Sequence, residues 1–126
     1  MHKVTCCALS QLETVKGPHD INLFIVRKPK SEIKSTTVFK YLAPSESLFK
    51  FYVENREEDG WWNVYEEAFK KELNTVEKQI GLTLVKDYVE EGFNVNLICY
   101  CGDPKRCHRS LIGERLKLMG LEVTII

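Results

Sequence analysis

The chain has no surplus of charge. Its 18 Lys and Arg balance 18 Asp and Glu, which argues against a general nucleic-acid coat protein, whose affinity comes mainly from excess cations set against phosphates. No apolar run approaches the ~20 residues needed to cross a bilayer, so no membrane role is expected. The opening Met1-His2-Lys3-Val4-Thr5-Cys6-Cys7 lacks the apolar core and small-residue cleavage site of a secretory signal, and a cytoplasmic location is expected. Neither a Gly-x-Gly-x-x-Gly fingerprint nor a Walker loop is present, which leaves a nucleotide cofactor without support and the identity of any cofactor open. There is no nucleophile elbow, and no Arg follows Cys101 at the spacing of a cysteine phosphatase loop. Repeats, low-complexity tracts and linkers are missing too, so residues 1–126 read as one domain.

What is present is an ordinary globular composition with one excess. Apolar residues make up 44% of 126 positions, enough for a core that needs neither metals nor disulfides. The excess is sulfur: Cys6, Cys7, Cys99, Cys101 and Cys107. In a cytoplasm such thiols are expected to be reduced, as buried small hydrophobes, metal ligands or reactive groups. Charge is uneven only between Arg27 and Lys40, where Lys28, Lys30 and Lys34 intervene against a single Glu32. That stretch reads first as a solvated loop, second as a phosphate-facing patch.

Short β-branched, apolar runs predict strands at Val4–Leu9, Ile21–Arg27, Thr36–Tyr41, Val95–Cys101 and Val123–Ile126. Residues 22–26 and 96–100 are almost continuously apolar, as strands covered on both faces are. Ser45 is placed to cap a helix carrying Leu48, Phe51 and Tyr52. Trp62, Tyr65, Phe69, Leu73, Val76 and Ile80 recur every three or four residues, which predicts a helix of about five turns whose aromatic stripe is core. Gly81 is expected to interrupt it, and Gly92 to cap its continuation. From Val95 onward the pattern is strand, turn, helix, Gly120 and strand, a β-α-β unit with parallel strands. The fold class expected is α/β: a single three-layer Rossmann-like domain with a mostly parallel sheet and helices on both faces.

Ligands of such sheets bind beyond the carboxyl ends of the strands, and Cys101 ends one. Asp103 and Pro104 suit an N-cap and a first helical position, with a start nearer Cys107 as the other option. Either start puts Cys107, His108, Arg109 and Ser110 in the first turns, where free N–H groups favour an anion. Arg106 and Arg109 can hold phosphate or carboxylate, Ser110 offers a hydroxyl, and Arg27 lies at a second strand end. The same field lowers a thiol pKa, making Cys107 the candidate nucleophile and His108 the candidate acid–base group.

A structural account stands beside this one. His108 falls on the apolar arc of Leu111, Ile112, Leu116 and Met119, where a core histidine would sit, and Cys107 lies at its edge. Cys99, Cys101, Cys107 and His108 can be counted as four metal ligands, but the Cys-x-x-Cys spacing of a zinc knuckle is absent and no metal is expected. Three readings remain open. One is an enzyme acting on a phosphate-bearing or other anionic ligand (a small molecule or nucleic acid); another is a non-catalytic module binding the same partners; the third is a thiol redox or zinc protein.

The segment Leu97-Ile-Cys-Tyr-Cys-Gly-Asp-Pro-Lys-Arg-Cys-His-Arg-Ser110 resembles the signature of the domain-of-unknown-function 488 family. Leu42-Ala-Pro-Ser45, and the order Tyr65, Phe69, Glu72-Leu73, are similar to its YeaO-like branch. That branch continues its first strand into Asp-Arg and Trp-Pro-Arg-Gly, whereas this chain has Val26-Arg27-Lys28-Pro29. The resemblance implies a compact α/β domain with parallel strands and adds weight to Cys101, Asp103, Cys107, His108 and Arg109 as the site. It implies no particular reaction.

Overall fold

The computed structural model describes residues 2–126. Five strands form one parallel sheet: β1 (Val4–Ala8), β2 (Ile21–Phe24), β3 (Thr37–Val38), β4 (Val95–Cys99) and β5 (Val123–Ile125), in the order β3-β2-β4-β1-β5. All five expected strands form, each trimmed by a residue or more where the chain turns away. Every residue of β1 and β4 is buried, which explains why their sequences show no polar alternation.

The side-chain period of two divides the sheet into faces. Cys6, Leu97 and Leu23, aligned across β1, β4 and β2, point into the larger core. There they meet the helices α2 (Glu46–Asn55), α3 (Trp61–Glu72), α4 (Val76–Glu90) and α5 (His108–Leu118). Cys7, Ile98 and Phe24 point the other way into a smaller cluster. The cover there is thin: the single-turn helix α1 (Leu12–Val15), Leu9 and loop residues such as Ile33. On this same face Thr5, Asn96 and Asn22 form a buried polar row in register. Asn96 donates to Asn22 Oδ1 (2.8 Å) and Asp20 Oδ2 (3.0 Å), and Asn22 donates to the Ser35 carbonyl (3.0 Å). Buried amides carry a low cost only when paired in this way.

The single long helix predicted after Asp59 is two helices. Thr75 caps α4 by accepting from Lys78 N–H, so the break falls at residues 73–75 and not at Gly81. Val76 and Ile80 are accordingly exposed rather than core. Gly81 lies inside α4 for a packing reason: a Cβ there would stand 2.8 Å from Tyr41 Cβ and 2.9 Å from Leu42. Its absence lets α4 lie against the turn Lys40–Leu42. Gly92 and Gly120 take positive φ just past α4 and α5, as helix-terminating glycines do.

One more expectation holds in detail. Ser45 caps α2 by accepting from Leu48 N–H. It also donates to Glu72 Oε2 (2.5 Å), while its own N–H donates to Glu72 Oε1 (2.9 Å). These bonds join Ala-Pro-Ser to Glu-Leu, the two segments that carried the weaker part of the family resemblance.

The strand order locates the crevice. From β2 the chain moves outward to β3, and from the adjacent β4 it moves through α5 to β5 at the opposite edge. Connections diverge between β2 and β4, which is where an open parallel sheet leaves a ligand crevice at its carboxyl end.

Candidate functional site

A cavity of about 460 Å³ occupies that divergence, within the size range of small-molecule sites. One wall is the segment leaving β2, with Val26, Arg27, Lys28 and Lys30; another is Tyr100 and Cys101 leaving β4. Phe49, Tyr52 and Val53 of α2 and Trp61 and Tyr65 of α3 supply an aromatic side. Arg106, Cys107 and His108 complete it at the start of α5. Five basic residues (Arg27, Lys28, Lys30, Arg56, Arg106) face one acid, Glu46, so the cavity carries a positive field in an otherwise neutral chain.

The turn between β4 and α5 uses both starts weighed from the sequence. Asp103 caps a 3₁₀ turn, Pro104–Arg106, by accepting from Lys105 N–H at 3.0 Å. The α-helix begins anew at His108, with Cys107 in the N-cap position. Ser110 donates its hydroxyl to the Pro104 carbonyl and ties the turn to the helix. Asp103 and Ser110 thus build the turn and do not line the cavity.

Arg109 departs most from expectation. It is fully buried and turned away from the cavity. Its guanidinium donates to Cys99 Sγ (3.1 Å), the Cys101 carbonyl (2.5 Å) and a main-chain oxygen of Ile126 (2.9 Å). Two helical positions from Cys107 it points about 200° round the axis, toward the sheet. Arg27 reaches the cavity wall, but its guanidinium donates to the Pro44 carbonyl and Glu77, each at 2.9 Å. Glu77 is held below the usual carboxylate range, first by the Lys78 hydrogen bond and then by the Lys78 and Arg27 charges. Of the four arginine and serine positions expected to bind an anion, only Arg106 presents an unengaged side chain to the cavity among the described contacts.

His108 is buried and both structural and site-facing. Its Nε2 lies 2.9 Å from the Ile25 carbonyl, which can only accept, so Nε2 carries the hydrogen. Burial, reinforced by the Arg109 and Lys78 charges, lowers its pKa to about 4. The ring is therefore neutral near pH 7, and its Nδ1 is a bare acceptor 3.8 Å from Cys107 Sγ. The ring also meets Phe69 edge-on, 5.6 Å between centroids. From Phe69 the aromatic contacts run through Tyr65 to Trp61, Trp62 and Tyr52. The stripe read as core is core at Phe69 and Leu73 and also lines the cavity at Tyr65, while Trp61, outside that stripe, is a further part of the cavity wall. Tyr52, Trp61 and Tyr100 belong to the site by place, and only the fold reveals it.

The sulfurs gather at the cavity floor. Cys101 and Cys107 are disulfide-bonded, in contrast to the five reduced thiols expected. Cys99 Sγ lies 3.0 Å from Cys107 Sγ and 3.4 Å from Cys101 Sγ. Burial pushes the Cys99 thiol up and Arg109 draws it part of the way back. The three sulfurs lie within 4.8 Å of one another, the spread of a set of metal ligands, a convergence that spacing alone had argued against. Cys6 and Cys7 are wholly buried.

Comparison with known proteins agrees with the resemblance. No curated protein and no solved structure gives a match. A family model described as DUF488-N3a, the active DUF488-N3 subclade, matches residues 8–120. That match spans nearly the whole fold from the end of β1 to the end of α5, and the chain belongs to the DUF488 family.

Proposed function

We propose that the protein is an enzyme that acts on a small phosphate-bearing ligand with a flat ring, of the nucleotide class, through the Cys107 thiol. The observation that carries this reading is the meeting, in one cavity at the divergence of β2 and β4, of basic side chains, aromatic rings and a cysteine. The cations Lys28, Lys30 and Arg106 suit a phosphate. Tyr52 and Trp61 offer faces on which a base can stack. In the reduced protein, His108 Nδ1 faces the Cys107 thiol as an acceptor, and the hydrogen bond to the Ile25 carbonyl holds the ring in that tautomer. Arg109 is outside this cavity and acts on the sulfurs behind it.

Titration of the reduced protein with nucleoside monophosphates tests the reading. Binding is expected, weakened on the order of tenfold or more when Arg106 or Trp61 is replaced by Ala, as for loss of one charge-assisted bond or one stacking face. Bound ligand should also slow alkylation of Cys107. If neither nucleoside phosphates nor inorganic phosphate bind or protect, the assignment fails.

A further inference from the structure

Cys99 is a third sulfur lying against a disulfide, with a buried guanidinium beside it. Arg109 is fully buried, and no Asp or Glu side chain pairs with it among the described residues; its Nη2 donates to a main-chain oxygen of Ile126, the last residue, at 2.9 Å. A buried cation is costly unless its donors are all matched, and its Nε finds no partner. Its Nη1 touches Cys99 Sγ at 3.1 Å and stands 3.9 Å from Cys101 Sγ. The same N–H group therefore faces two sulfurs, while Cys107 lies 3.0 Å from Cys99.

We infer that Cys99, Cys101 and Cys107 form a thiol–disulfide exchange centre, in which the bond moves from Cys101–Cys107 to Cys99–Cys107. Cys99 loses its proton to solvent and attacks Cys107 Sγ. The Cys99–Cys107 bond forms, the Cys101–Cys107 bond breaks, and Cys101 leaves as the thiolate, taking up a proton from solvent. One disulfide and one thiol stand on each side, so no outside oxidant or reductant enters. Negative charge passes from Cys99 to Cys101, the two sulfurs that Arg109 faces, and a cation there favours both attacking and leaving thiolates. The three sulfurs stand as a triangle and exchange needs them in a row, so a side-chain rotation precedes it. Cys101, half-buried in the turn between β4 and α5, is the residue free to make it.

The outcome is directional in space. Cys99 is buried at the end of β4, whereas Cys101 lines the cavity. Exchange withdraws the disulfide into the interior and presents a thiol to whatever occupies the cavity. The inference is independent of which anion the cavity takes.

Disulfide mapping tests it without any ligand. The oxidised full-length protein is held in glutathione buffer with chelator, acid-quenched and labelled, and its disulfide and labelled peptides are identified by mass. Label is expected at both Cys99 and Cys101, and Cys101→Ser should still form one intramolecular disulfide, now Cys99–Cys107. Label at Cys99 alone, together with no disulfide in Cys101→Ser, would overturn the proposal. So would stoichiometric metal that survives the chelator and keeps all three thiols reduced.

Discussion

The molecule contains two groups of buried cysteines that chemistry alone would not separate. Cys6 and Cys7 sit side by side in β1, one on each face of the sheet, fully buried. Burial above all pushes their thiols up, to about 12 and about 11. Cys99, Cys101 and Cys107 end one strand and begin one helix, two of them buried and one partly open. The second group has a guanidinium within hydrogen-bonding distance of a sulfur and an unprotonated imidazole nitrogen near another. Depth does not separate Cys99 and Cys107 from Cys6 and Cys7; the company of polar atoms does.

The contrast is broken or sharpened most strongly by alkylation of the reduced, native protein near neutral pH. Cys101 is expected to react on the order of a hundredfold faster than Cys6 or Cys7, because buried thiols of raised pKa react only through opening of the fold. Equal rates would dissolve the distinction. A smaller effect comes from His108, which belongs only to the second group. Its folded pKa lies below its ordinary value, so the unfolded chain takes the proton first as pH falls. The associated stability is intact above about 6.5 and is lost between there and about 4, a loss of at most about 3 kcal/mol. Urea unfolding across that range should show the slope in the native sequence and lose it in His108→Gln. The smallest effect is expected from Cys7→Ala, about 1 kcal/mol of lost packing. Its disulfide map should match that of the unchanged protein; an altered map would join the groups that the fold keeps apart.

Much of this architecture was legible because local chemistry decided it. Five strands, the Ser45 cap, the glycines after α4 and α5, and the Asp103-Pro104 turn all follow from side-chain period and cap preferences. The division of α3 from α4 was not legible. Leu73 is buried two residues before Thr75, which caps α4, while Gly81 looks like a breaker until Tyr41 and Leu42 are seen against it. The site divides in the same way. The strand-end position of Cys101 and the helix-start position of Cys107 and His108 could be read from the chain. The direction of Arg109, the convergence of Cys99 on Cys107, and the cavity roles of Tyr52, Trp61 and Tyr100 depend on strand order. Nothing local to those residues records it.

The strand order also dictates when the sheet can exist. β1 and β2 are both laid down early, yet they do not pair; β4 lies between them and contributes Val95–Cys99. During synthesis, most of the chain must leave the ribosome before β1 acquires a neighbour on either side, because β5 comes later still. Until then its hydrogen-bonding edges and both of its cysteines are open to other chains and to oxidants. Sheets closed by such distant segments assemble slowly. For a nascent molecule, the arrival of β4 is therefore one event with two results: it shelters Cys6 and Cys7, and it delivers Cys99 to the place where the turn carrying Cys101 and Cys107 will close over it.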